Sequence, residues 1–304
     1  MIPRNDLLTA DSPKGLEVFQ LTDESIPSSH LYMEAQVFAP DSSRLLVHRS
    51  AHAHGSDQND PEHRYLVCDL ASGELMPLTT ETGATAPSVT PDGSWVYYFV
   101  NETQVGGGRL TLKRVRMDGT ERDTMLVIDA PLAGTDLQPS VIYPLSTIRS
   151  DGQSLALSCF LRHGERDDLP WGLMVFDLAN PGVQVILQGN DWINIHPQYS
   201  RSQDPEAKHD ILIQQNHGYF HSPVDGSFSV SPGGKGADIH VVRDDGSDFR
   251  NMPWGRDGNE FCQGHQCWIG RSTRAITSTG TRQPAEQQII AGRAAPFAGH
   301  VGLA

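Results

Sequence analysis

Long hydrophobic runs are missing from this chain: no stretch of about 18 apolar residues occurs, which leaves no candidate for a membrane-spanning helix. Helical periodicity is missing too. No window holds apolar residues sustained at i, i+3, i+4 and i+7, so long helices are not expected. Basic charge is scarce, with 23 Lys and Arg against 37 Asp and Glu and a formal net charge of −14. A nucleic-acid partner is therefore not expected, because phosphate binding needs a basic surface that releases counterions. An anionic ligand would be repelled at long range and would have to be held by local cations or a metal. Cysteine is sparse: Cys68, Cys159, Cys262 and Cys267 show neither disulfide-scaffold nor zinc spacing, and reduced thiols in a cytoplasm are expected. The start, Met1-Ile2-Pro3-Arg4-Asn5-Asp6, carries no apolar stretch of the secretory kind, which again predicts a soluble, cytoplasmic protein. No Gly-x-Ser-x-Gly elbow appears. Gly106-Gly107-Gly108 precedes neither a helix nor a Lys-Ser/Thr pair, so it is a hairpin tip rather than a phosphate loop.

What the chain does have is a repeat. Its first half is Phe38-Ala39-Pro40-Asp41-Ser42-Ser43-Arg44-Leu45-Leu46-Val47, then Val89-Thr90-Pro91-Asp92-Gly93-Ser94-Trp95-Val96-Tyr97-Tyr98, then Ile148-Arg149-Ser150-Asp151-Gly152-Gln153-Ser154-Leu155-Ala156-Leu157. Its second half ends on acidic turns at Asp69-Leu70-Ala71-Ser72-Gly73, Asp118-Gly119, Asp177-Leu178 and Asp244-Asp245-Gly246. Asp-Gly supplies the positive φ that a tight hairpin needs, and the Val/Leu/Tyr runs suit buried sheet. A strand-rich period of about 50 to 70 residues is the sign of a β-propeller. The blades fall at 34–80, 84–130, 141–189 and 193–255, with 262–292 starting a fifth, and a polar insertion from Gly218 to Gly236 lengthens the fourth. The expected fold is thus all-β, one propeller domain over 1–304 with four to five recognisable blades.

The 13 histidines are unevenly spread. His52, His54 and His63 lie in and beside a polar loop that joins two strands of the first blade, where solvated side chains are favoured over a metal site. A second group is richer in context: Asn194-Ile195-His196-Pro197-Gln198-Tyr199, Gln214-Gln215-Asn216-His217-Gly218 and Gln263-Gly264-His265-Gln266-Cys267-Trp268. His196 and His265 stand just before strand-like half-units, where Thr90-Pro91 and Arg149-Ser150 stand in other blades. Propeller strands can bring side chains from several blades together at the channel. Each histidine could equally be a hydrogen-bonded turn or core residue.

These landmarks, with Val241-Val242-Arg243-Asp244-Asp245-Gly246 between them, resemble those of the oligogalacturonate lyases, polysaccharide lyase family 22. The resemblance runs from Leu21-Thr22-Asp23 onward, and its specific motifs fall within about residues 188–270. It implies a propeller of the seven-bladed type, cleavage of an anionic oligogalacturonide by β-elimination, and a divalent metal, typically manganese. It further implies a metal ligand at His265 and a general base at His196. Gln263 is the adjacent donor that could share the metal, and His217 could orient the carboxylate or share the base role. Asn216, Gln215 and Trp268 are the substrate-binding candidates. The family arginine that assists the base has no direct match, since Trp171-Gly172-Leu173 stands near its place, and Arg162 is the nearest substitute. The family's Gln-x-x-His-x-His ligand segment has no counterpart, and the sequence ends at Gly292 to Ala304 where the family continues. Val18-Phe19-Gln20-Leu21-Thr22 resembles the last strand of a blade, which would leave the ring open unless another copy covered its edges. His300 or a partner chain would then have to supply further ligands. Removing a proton α to a carboxylate requires a cation to absorb developing charge and an imidazole to take the proton. The alternative expectation is a non-catalytic TolB-like propeller that binds a protein or carbohydrate.

Overall fold

The computed structural model describes residues 1–23, 27–32, 34–49, 60–104, 106–163, 170–222, 227–230, 236–254, 260–281 and 301–303. Among these residues the only helices are two three-residue 3-10 turns, and everything else regular is strand. A short pair, β1 (Ile2–Pro3) with β2 (Phe19–Gln20), comes first. The Val18–Thr22 segment therefore pairs with the first residues of the chain. The first four-stranded sheet runs β3 (Ser28–Ser29), β4 (Arg44–Arg49), β5 (Arg64–Asp69), β6 (Leu75–Pro77). The second runs β7 (Ala84–Val89), β8 (Trp95–Gln104), β9 (Gly107–Arg116), β10 (Arg122–Ile128). The third runs β11 (Leu137–Ile148), β12 (Ser154–His163), β13 (Trp171–Asp177), β14 (Gly182–Gly189).

The fourth sheet is built from β15 (Gln198–Tyr199), β16 (Asp210–Asn216), β19 (Ala237–Arg243) and β20 (Arg250–Asn251). Between β16 and β19 stands the hairpin of β17 (Tyr219–His221) and β18 (Phe228–Val230), which occupies the expected polar insertion. A single pairing, Ala237 with Cys262, joins this sheet to β21 (Glu260–Trp268), β22 (Ala275–Thr281) and β23 (Val301–Leu303).

The chain divides into two compact units, Met1–Val100 with Lys113–Asp123, and Asn101–Leu112 with Thr124–Ala304. In the first, Leu46, Leu66, Tyr98 and Val115 sit in one apolar cluster that excludes water from both faces of the strands. In the second, Ile195, Tyr199, Ile211 and Ile213 pack with Leu173 and Val175, and a neighbouring cluster gathers Leu212, Ile239 and Trp254.

The repeated turn has one construction. Backbone bonds Ala39 N to Arg44 O (3.0 Å), Thr90 N to Trp95 O (2.9 Å), Arg149 N to Ser154 O, Ser200 N to Asp210 O and Ile269 N to Arg274 O (each 2.8 Å) mark the same position in five successive units. Asp41, Asp92 and Asp151 each accept the backbone N–H two residues on through Oδ1, as Asx turns do. Gly93 and Gly152 then take φ of +73°, and Ser42 takes +58° in the same place.

Candidate active site

The turn bonds correct the expected place of the two histidines. Ser200 and Ile269, not His196 and His265, correspond to Thr90 and Arg149, and the histidines fall four residues earlier. There the pairing slips. In the second sheet Thr85 faces Phe99 and Ser88 faces Tyr97, three residues against two. In β21, Gly264 faces Ser278 and Cys267 faces Ile276, again three against two. In the fourth sheet Gln214 N bonds Ile195 O at 2.8 Å while Gln198 faces Leu212, the same count. Each is a β-bulge, which bends the strand and re-aims a side chain. The bulge residues are Ala86, His196 and His265, with φ of +48°, +47° and +57°. Left-handed backbone is uncommon outside glycine, and His is among the residues enriched there.

The third sheet is looser at this level, with Ile142 opposite Cys159 and Ser146 opposite Leu157. Tyr143 lies in that irregular stretch. Tyr199 N donates to Thr147 Oγ1 at 3.0 Å, fixing the two inner strands side by side. Tyr143 Oη thereby sits 3.0 Å from His196 Nε2, with the ring centroids 5.1 Å apart. His196 is 3% exposed, so this phenol caps an imidazole that is otherwise within the protein. Tyr143 is partly exposed and packs against Phe160, Trp171 and Ile193. Nothing in the sequence links residues 53 apart, and Tyr143 is the functional candidate that sequence reasoning missed.

Amide side chains brace the bulge from behind. Asn216 Nδ2 donates to Ile193 O (2.7 Å) and Asn194 O (3.0 Å), and Gln214 Nε2 donates to Asn194 O (3.1 Å). Gln266 Nε2 reaches His196 O at 3.4 Å, Gln198 Nε2 donates to Gln266 O, and Trp268 Nε1 donates to Gln198 O at 2.9 Å. Asn216, placed by sequence on substrate, is buried and spends its N–H groups on the loop that carries His196. Trp268 likewise directs its indole N–H to backbone and rests against the Leu212 cluster. Gly264 is needed where it stands: φ is +85°, and a Cβ there would lie 2.5 Å from Gln214 Oε1.

The remaining expected residues are dispersed. His217 Nε2 lies 3.2 Å from Asp238 Oδ2, an ion pair when the ring is protonated. Gln215 Oε1 faces His240 Nε2 at 3.3 Å, and His240 in turn bonds Asn251 Oδ1 at 2.9 Å through Nδ1. The side chains of Arg162 and Gln263, together with His52, His54 and His300, lie outside the described residues. Among the described residues no three His, Cys, Asp or Glu side chains are grouped to hold a metal ion. His265 by itself does not make a manganese site.

Two other polar clusters contrast with this one. His63 is buried rather than solvated, with Nδ1 2.9 Å from His48 Nε2 and Nε2 donating to Ala84 O at 2.8 Å. Elsewhere a cavity of about 460 Å³ is lined by Arg149, Gln184, Asp177 and Asp244. Arg149 bonds Asp151 (2.8 Å) and Asp244 (2.7 Å), Tyr199 and His209 also bond Asp244, and Asp177 Oδ1 accepts the backbone N–H groups of Ala179 and Asn180. Burial would raise the Asp151 pKa, but Arg149 and Lys208 hold it well below the ordinary carboxylate range.

No family model matches the chain, and no curated protein does. Among solved structures, the oligogalacturonate lyase of Vibrio parahaemolyticus is similar at a TM-score of 0.62 and 18% identity, covering 90% of this chain and 65% of that one. An oligogalacturonate lyase in complex with manganese gives 0.61 and 19%, with the same coverage of 90% and 65%. The β-propeller domain of the trilobed protease from Pyrococcus furiosus, described as having an open velcro topology, gives 0.50 and 12%, covering 91% and 68%. This chain thus spans less than two thirds of the length of either lyase. At such identities the likeness establishes the fold, an all-β propeller. No helix among the described residues is long and apolar enough to cross a membrane.

Proposed function

We propose that this chain is a lyase acting on anionic uronate oligomers by β-elimination, in which a proton α to a carboxylate is removed and the 4-oxygen departs. The observation that carries the reading is the pair of histidines at equivalent left-handed bulges in adjoining inner strands, His196 and His265. Strained non-glycine backbone held by surrounding structure clusters at active sites and ligand clamps. An imidazole is matched to proton transfer near neutral pH.

The substrate carboxylate needs a cation, because charge builds on it as the proton leaves. Arg201 follows the same inner strand as His196; its residue surface reaches solvent, while the protein packed around the guanidinium lowers its pKa, opposed by a smaller contribution from Cys267 on the His265 strand. No ion pair engages it among the described residues. That combination supports Arg201 as the carboxylate anchor, a role distinct from the base-assisting one that the sequence offers to Arg162. His265 would then bound the ligand from the neighbouring strand.

The test is incubation of the chain with digalacturonate and with gluco- and mannuronate dimers, following absorbance of the unsaturated product. Product formation that Arg201→Ala weakens chiefly through KM supports the reading; no product from any dimer refutes it. A second reading, a non-catalytic propeller that binds a carbohydrate, is favoured by the burial of His196. It predicts saturable binding of the dimers without turnover.

A further inference from the structure

We propose that Tyr143, and not His196, is the group that meets the substrate, with His196 acting through it as the proton acceptor behind. The inference rests on the lyase reading and assigns its proton path. Geometry supplies the reason. His196 Nε2 is already engaged by Tyr143 Oη at 3.0 Å, and the imidazole is 3% exposed. A general base must come within about 2.6–3.2 Å of the proton it takes, and a buried ring whose Nε2 is capped by a phenol does not offer that atom to a sugar. Tyr143 is the partly exposed member of the pair and lies in the loosened stretch of β11, so it stands on the solvent side of the imidazole. Its contacts with Phe160, Trp171 and Ile193 hold the ring in place, and the bulge at His196, braced by Asn216 and Gln214 through the preceding backbone, fixes the other half of the pair.

The step balances. The substrate C5–H bond breaks and its proton forms an O–H bond on Tyr143, while the proton that Tyr143 held passes to His196 Nε2. The C–H electron pair becomes the new C4–C5 double bond, and the C4–O4 bond breaks with its pair remaining on O4. O4 takes a proton from water, and the imidazolium returns one to solvent, restoring the dyad. No electron changes hands with any cofactor.

The experiment compares wild type, Tyr143→Phe, His196→Ala and the double variant on the uronate dimer that wild type cleaves. The expected result is a fall in kcat of about a hundredfold or more in either single variant, within the range for a positioned acid or base, with KM nearly unchanged. The double variant should be no worse than the poorer single one, as expected of residues acting as a unit. A fluorotyrosine placed at 143, whose phenol is more acidic, should shift the kcat pH profile downward; this separates proton handling from a structural role, as does an unchanged melting temperature in Tyr143→Phe. Near wild-type kcat in Tyr143→Phe, or a pH profile that fluorotyrosine leaves in place, overturns the assignment and leaves the lyase reading intact. Absence of product from wild type on every dimer overturns both.

Discussion

In the second sheet the bulge residue is Ala86, 1% exposed at φ +48°; in the fourth it is His196, 3% exposed at φ +47°. Both are followed by proline, and both strands gain one residue on their partner at that point. A methyl group therefore satisfies everything the backbone asks of this position. The left-handed conformation costs an L-residue about 1–2 kcal/mol, and the second sheet bears that cost with alanine, so the imidazole is not required to make the bulge. What differs is the surroundings: His196 has Tyr143 across the neighbouring inner strand, while Ala86 is enclosed with nothing to aim.

The largest expected effect comes from making the fourth sheet resemble the second. His196→Ala should fold, because Ala86 shows alanine in that conformation, and should lose about 10²–10⁴ in kcat on a cleaved uronate dimer. Its stability should fall by about 2–4 kcal/mol, since truncating a buried ring leaves a cavity as well as a lost hydrogen bond. Circular dichroism with steady-state kinetics checks both halves. A variant that unfolds would show the histidine to be structural and break the comparison. The reverse change, Ala86→His, brings a polar ring into a closed site and should cost about 1–3 kcal/mol, measured as a drop in the urea midpoint with an unchanged slope.

How much of this was legible in the sequence depends on the range of the interaction. Asp92-Gly93 and Asp151-Gly152 announce their turns because the conformation is set within four residues, and the strands between them follow. The bulges left a fainter trace, a proline after Ala86 and after His196 but not after His265. Without pairing, the extra residue is not countable, and sequence alone aligns the histidines with Thr90 and Arg149. The contact between Tyr143 and His196 joins different sheets and has no local signature. The burial of His63 goes unseen for a related reason: it abuts a polar loop, and the partners that enclose it, His48 on β4 and the Ala84 carbonyl on β7, are distant in sequence.

That buried pair sharpens the contrast between histidines. His63 Nε2 donates to the Ala84 carbonyl, so its Nδ1 accepts from His48, and the chain is complete with both rings neutral. Burial, aided by His63 alongside, pushes the His48 pKa from 6.5 down to about 4. The unfolded chain then binds the extra proton between those values, so stability is full above pH 6.5 and falls as pH drops toward 4. Urea unfolding at pH 7, 5.5 and 4.5 should show a loss on the order of 1–3 kcal/mol, and His48→Phe should flatten that slope. An equal slope in the variant would place the effect on other groups.

The smallest effect concerns the turns. Ser42 holds φ +58° where Gly93 and Gly152 hold +73°, and Ser42 N, Gly93 N and Gly152 N all close the same turn onto Ala39, Thr90 and Arg149. Ser42 is exposed, so its side chain contributes little packing to offset the left-handed backbone. Ser42→Gly removes about 1–2 kcal/mol of strain and adds about 0.5–1 kcal/mol of unfolded-state entropy, for a net gain of about 0.5 kcal/mol. The opposite swap is not its mirror image. At Gly93 a Cβ would lie 2.6 Å from Pro40 Cδ, so Gly93→Ser meets both strain and a clash and should lose more than Ser42→Gly gains. Parallel urea midpoints for the two variants decide the matter: equal and opposite shifts would mean that the turn conformation alone sets the cost, whereas a larger loss at Gly93 assigns the difference to the proline packed against it.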